Sequence, residues 1–492
     1  MNVRSSFTAT VFYRWATATL VFLLGLPVSN AATESQENTP QPTSASVYAN
    51  AIGDARFERS AIHVEQGYTI ESGNLYTRDG GIGSLVVVRS PDGAVIARID
   101  EPGKRGLLRV DTQGVGAFTA AATNESRASD TVETQEPMGR DTTISAEHRY
   151  IDLLMAYSDY ALSKMLVDPL AFAFMQVEEV NLRLRNSLIT GVSLRLAAVN
   201  MFDVPYATSA GGLSEWQKLL APYRSMYKTD LNAAYSGWDG GTAGIAYRPG
   251  YTSALGWTSS GSNTFAHEVA HNVGGRHCWD QNGSDYNFGH DNGKTKTSLC
   301  YGDLAPYFST PAVRDTHGLP LGNAQTADMA RVWRENTARL MGYNPEMPGL
   351  RMLVVSGLHD QVSAYIRIPG IERLYMGGIV ALSADVGPTE LVPGTDEKFT
   401  MLRVKLLNAA GNEAVVKLRA IRAQEEGGWR EHMNSQRFLG ALGPFQGLEI
   451  QYDARDNAGL PTGYYNGLLK LEARRANSDW KQPINIVVSV KK

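Results

Sequence analysis

The 492-residue chain has only two cysteines, no internal repeat, no basic cluster, and no second apolar span after one near its N-terminus. With a formal net charge of −4 and no basic patch interleaved with aromatics, it points away from nucleic acid. Apolar residues make up 43% and charged residues 20%, the balance of an ordinary soluble protein, and the length suggests about three domains.

The N-terminus carries Arg4 and Arg14, then an apolar run from Trp15 to Val28 that ends in Ser29, Asn30 and Ala31. That is the build of a secretory signal over residues 1–31, too short for a membrane anchor and followed by no second span. The expectation is a secreted or extracytoplasmic protein with no transmembrane anchor once the signal is removed.

One string of eleven residues, HEVAHNVGGRH from His267 to His277, carries the chemistry. His267 and His271 stand four apart, hence one turn apart on one helix face, which lets two imidazoles grip one metal ion. Gly274 can take the left-handed conformation that ends the helix and swings His277 back as a third ligand. Three neutral imidazoles suit one catalytic Zn2+ with a fourth position open for water, and Glu268, beside a ligand, is placed as the general base. Ser262, Asn263 and Thr264 offer capping oxygens, while Phe265, Val269 and Val273 mark the face that packs inward.

The full H-E-x-x-H-x-x-G-x-x-H pattern resembles the metzincin zinc endopeptidases, within them the reprolysin-like branch that includes bacterial peptidyl-Asp metalloendopeptidase. The likeness runs over about residues 148 to 343, through IDLLMAYSDYAL, GTAGIAY and PYFSTP. It implies protein or peptide substrates lying antiparallel to an edge strand, with Gly244, Ile245 and Ala246 as backbone contacts. Where relatives carry a methionine in the turn beneath the metal, this chain has Leu299, which fills a similar volume. Tyr301 matches a tyrosine that in some relatives approaches the metal or the tetrahedral intermediate; an ordinary packed tyrosine is the other reading. The resemblance also brings Cys278 and Cys300 into neighbouring segments and so implies a disulfide, contributing about 3 kcal/mol by loop entropy, against two buried free thiols. A calcium site among Asp280, Asp285 and Asp291 is possible and unsupported.

The expected fold is multidomain. Residues 32–147 form a tether, a small β-rich unit with runs such as SLVVVRS and AVIARID, and a polar linker from about Ala120 to Glu147. Ahead of a secreted protease such a unit looks like the pro-domain of a zymogen, the other reading being a permanent module. No cysteine precedes residue 278, so inhibition by an upstream thiolate is excluded and must come from a carboxylate or from steric cover.

Residues 148–346 read as the α/β, metzincin-type catalytic domain. Ile151, Leu153, Met155 and Tyr157 alternate, Ala173 to Leu188 recur at helical spacing, Val192 to Ala198 alternate, and a closing helix spans about Ala324 to Met341. Residues 347–492 alternate with period two and read as a β-sandwich accessory region, with His359 and His432 as lone surface residues. That region is expected to bind an extracellular or cell-surface ligand, so a chain ending near Asn344 should still cut short peptides.

The function so expected is a secreted zinc metalloendopeptidase. The alternatives are a surface-binding or adhesion protein carrying a relic metzincin domain, or a zinc amidase acting on non-protein amides.

Overall fold

The computed structural model describes residues 41–121, 129–140, 148–237, 241–347 and, beyond these, 361–367, 380–384, 390–392, 400–422, 438–442, 445–453, 455–475 and 481–492. The signal segment, His359, His432 and much of the polar linker lie outside the described residues.

A short helix, α1 (Ala45–Ile52), precedes six antiparallel strands that follow one another in chain order: β1 (Arg56–Glu65), β2 (Tyr68–Tyr76), β3 (Ile82–Arg89), β4 (Val95–Glu101), β5 (Lys104–Val110) and β6 (Gly116–Ala120). Because strand side chains alternate, β3 serves two layers at once. Leu85 and Val87 join Tyr48 and Ile52 of α1 in one core, whereas Val86 and Val88 belong to the core of the following region.

That region is built on a second six-stranded sheet in the order β7-β11-β12-β10-β8-β9, where β7 is Thr131–Glu133, β8 Arg149–Ser158, β9 Val192–Phe202, β10 Leu231–Ser236, β11 Gly244–Arg248 and β12 Thr252–Gly256. Strands β9, β8, β10 and β12 are mutually parallel, and β11 turns back antiparallel to β12. From Ile151 to Ser158 every residue of β8 is buried, as a central parallel strand with both faces covered requires. Helices α2 (Asp159–Met165) and α3 (Pro169–Asn186) connect β8 to β9, α4 (Ala210–Tyr227) precedes β10, and α5 (Thr264–Val273) and α6 (Met329–Met341) follow β12. The strand, helix and strand expected from alternation are β8, α3 and β9. The closing helix starts at Met329 instead of Ala324, because Asp328 accepts from the Arg331 amide and caps it there.

Among the described residues beyond 360, nine strands join in one antiparallel hydrogen-bonded network. This region is not held by a tether alone. Tyr464, Leu468 and Val487 enter the same core as β9, Asn466 Nδ2 donates to the Met201 carbonyl at 3.0 Å, and Tyr464 and Lys491 both reach Asp159. Ending the chain near Asn344 would uncover this face of β9, so that truncation is no clean test of what the region does. No helix among the described residues is long and apolar enough to cross a membrane.

Candidate metal centre

Helix α5 carries His267, Glu268 and His271 and is buried along its whole length, with Phe265, Val269 and Val273 in the core. Its start departs from expectation. Asn263 precedes the helix without a side-chain cap, and the Ser262 hydroxyl instead donates to the Ser259 carbonyl. The end is as required: Gly274 has φ 122°, and its amide reaches back to the Ala270 and His271 carbonyls. The chain then turns so that His277 comes under the helix.

The three Nε2 atoms converge. His277 Nε2 lies 3.1 Å from His271 Nε2 and 3.2 Å from His267 Nε2. A fourth ligand joins them from a part of the chain read as an exposed linker. Asp130, 4% exposed, sets Oδ2 at 3.0 Å from His277 Nε2 and 3.2 Å from His267 Nε2, with Oδ1 at 3.6 Å from His271 Nε2. Among the described residues these four form the group of metal-ligating side chains close enough to share an ion.

Proton positions test whether hydrogen bonds alone could hold this cluster. His271 Nδ1 lies 2.8 Å from the Gly275 carbonyl, which can only accept, so the proton sits on Nδ1 and a neutral ring turns a lone pair inward. His277 Nδ1 faces Asp280 Oδ2 at 3.2 Å, which likewise sets a proton on Nδ1. With both rings neutral, two lone pairs and a carboxylate oxygen point at one small space. Burial pushes His271 down to about 3, disfavouring the doubly protonated ring that would otherwise relieve the conflict. A cation relieves it. Bonds of about 2.0–2.1 Å to a tetrahedral ion put neighbouring ligand atoms roughly 3.3 Å apart, and the five separations given above run from 3.0 to 3.6 Å. The residues thus fit one metal ion.

Burial alone would raise the Asp130 carboxyl, but the three imidazoles of His267, His271 and His277 that face it outweigh this and hold it well below the usual carboxylate range. Glu268 shows the opposite balance. It is 1% exposed, its Oε2 has no hydrogen-bond partner among the described residues, and desolvation, reinforced by the Asp130 charge, pushes it well above its ordinary value. Gly244 stands against it, and a Cβ there would strike Glu268 Oε1, so only glycine lets the strand pass this close.

Tyr301 donates to Asp130 Oδ2 at 2.8 Å, placing its hydroxyl at the fourth-ligand position. Its pKa is pushed up by burial and then by Asp130. Cys278 and Cys300 form a disulfide with Cα atoms 5.3 Å apart, joining the segments that carry His277 and Tyr301. Trp279 stacks on His277 at 4.2 Å and leans on Tyr301 at 4.5 Å. Leu299 is fully buried, in a left-handed conformation (φ 71°) that costs a branched residue roughly 1–2 kcal/mol, and its carbonyl accepts from the Cys278 amide. Its side chain lies against Gly275, in the turn between His271 and His277. Asp280 turns to His277, while Asp285 and Asp291 join no group of three or more potential ligands among the described residues.

Residues 129–140 form a strap along the site. The Ala246 amide donates to the Asp130 carbonyl at 2.9 Å, and β7 then pairs with β11 in parallel, Thr131 to Ala246, Val132 to Tyr247 and Glu133 to Arg248. The hydroxyl of Thr134 donates to the Pro249 carbonyl, Met138 packs over Gly274, and the Gly139 amide donates to Asn336. Of the predicted backbone contacts, Ala246 is thus occupied by the chain itself. Asp130 was missed in the sequence because nothing local marks it; the lack of upstream cysteine was the available signal, since it left a carboxylate as the candidate.

No family model matches this chain, and neither does any curated protein. Among solved structures it is similar to one described as a chaperone–substrate complex, with 18% identity and TM-score 0.36 over 52% of this chain and 45% of that one. It is also similar to the CooA pilin subunit from enterotoxigenic Escherichia coli, with 10% identity and TM-score 0.15 over 30% of this chain and 92% of that one. The chain spans less than half the length of the first, and neither likeness is close enough to bear on fold or function.

Proposed function

We propose that this protein is a zinc-dependent endopeptidase of the metzincin type, made as a latent precursor whose strap covers its own cleft. The observation that carries the reading is the convergence of His267, His271 and His277 beside a buried carboxylate, Glu268, that makes no hydrogen bond through Oε2. Three neutral nitrogens and one carboxylate oxygen suit zinc, and the thiolate alternative is closed because both cysteines are bonded to each other. Bound there, zinc supplies Lewis-acid activation of a water and of the peptide carbonyl.

The chain's own groups do the remaining work. Glu268, next to His267 on α5, accepts the water's proton and passes it to the leaving amine. The Tyr301 hydroxyl, free once Asp130 withdraws, can donate to the oxygen that gains charge as the carbonyl is attacked. Strand β11 offers its outer edge to a substrate backbone, which gives affinity with little side-chain preference.

The test is to incubate the full chain, before and after limited proteolysis, with a mixed proteome and map new termini with and without a zinc chelator. Chelator-sensitive cleavage that appears after proteolysis, and is lost in Glu268→Ala while zinc stays bound, supports the reading. Zinc-loaded, proteolysed wild type that produces no new termini overturns it.

A further inference from the structure

Strand β11 ends on Arg248, whose side chain is only 11% exposed and forms an ion pair with Glu133 of the strap. Its Nε is buried without a hydrogen-bond partner among the described residues. Its register partner across the β7–β11 pairing is Glu133, on the same strap segment that seats Asp130 among the histidines. The strap thus seats two carboxylates on one track: Asp130 on the three histidines and, three residues along, Glu133 on Arg248. Only the first of these is accounted for by the metal centre.

We propose, on the endopeptidase reading above, that Arg248 is a carboxylate-binding subsite that selects substrates with Glu or Asp at the third or fourth residue before the bond to be cut. A buried arginine that loses Glu133 keeps its charge and needs an anion; a charge-assisted, fork-shaped pairing with a carboxylate is the strongest contact it can make. Strands advance about 3.3 Å per residue, so the step from Asp130 to Glu133 spans roughly 10 Å of track. A substrate crossing the same edge antiparallel covers that distance in three or four residues, and runs so that the residue facing Arg248 precedes the scissile bond. The strap is then a partial mimic of the side chains this cleft accepts.

The test uses the full chain activated by limited proteolysis, zinc-loaded, on peptides in which a single Glu or its Gln counterpart is moved through the six positions before the cleaved bond. A preference of about tenfold or more for Glu at the third or fourth position, lost in Arg248→Gln and converted to a preference for Lys in Arg248→Glu, is the expected result. In parallel, a labelled peptide of residues 129–135 should bind the activated Glu268→Ala chain about tenfold more tightly than its Glu133→Gln form, with that difference gone in Arg248→Gln. Equal cleavage of Glu and Gln peptides, or equal binding of the two strap peptides, overturns the subsite. Absence of all cleavage with the binding difference intact would instead sink the endopeptidase reading and leave Arg248 as an anion site.

Discussion

Residues 41–140 meet the following region in two ways. The sheet of β1–β6 lies on α3 through apolar side chains, Ile70, Val86, Val88, Ile96 and Leu107, and through a buried charge cluster in which Arg98, fully inaccessible, pairs with Asp100 and Glu179. The strap holds instead by backbone pairing and a few point contacts, among them Asp130 on three histidines and Glu133 on Arg248. Broad burial makes the first contact strong wherever it is touched. The second rests on a few separate points, of which Asp130 has the most partners, so a change there loosens it without touching the sheet contact.

The comparison breaks most visibly at Arg98. Arg98→Ala leaves Glu179 and Asp100 buried with less charge compensation, and removal of one partner from a buried pair typically costs about 3–5 kcal/mol. Urea denaturation of the full chain should show a loss of that order; a loss below about 1 kcal/mol would mean the cluster adds little to the interface.

Asp130→Ala should do the reverse. Uncut full chain should gain hydrolytic activity by about tenfold or more while its denaturation midpoint moves less than in Arg98→Ala, because the sheet contact remains. An uncut Asp130→Ala chain as silent as wild type would show that steric cover by the strap suffices without the carboxylate.

Tyr301→Phe removes one hydrogen bond to Asp130 and sharpens the picture of how the carboxylate is held. Hydrogen bonds to charged groups contribute about 1.5–3 kcal/mol, so the amides of residues 131–133 should exchange with solvent about tenfold to a hundredfold faster. Unchanged exchange would assign the grip to the histidines alone. Leu299→Met is the smallest case. It conserves volume beneath the site, so the activated chain should keep its turnover within about threefold and its stability within about 1.5 kcal/mol.

What the sequence made legible follows from distance along the chain. His267, Glu268, His271 and His277 lie within eleven residues, and helical period plus one turn glycine suffice to bring the three imidazoles together. Strands β8 and β9 and helix α3 announce themselves by period as well. Asp130 stands 137 residues before His267, in a polar stretch where only tertiary contact distinguishes one acid from its neighbours. The docking of Tyr464 and Val487 against β9 was hidden for a related reason: period two marks a strand but says nothing of what its buried face will touch. The missing cap at Asn263 is a third kind of gap, since the Ser259 carbonyl competes for the hydroxyl of Ser262.

The direction of β7 has a consequence for time. It runs parallel to β11, whereas a chain laid for hydrolysis on the proposed reading runs antiparallel. In the strap, amide nitrogen and carbonyl carbon therefore follow one another past Glu268 in inverted order, so a proton delivered from Glu268 does not meet the nitrogen that would have to leave. On that reading the strap would rest in the cleft without being consumed, and the lifetime of the covered state would be set by whatever severs the chain elsewhere.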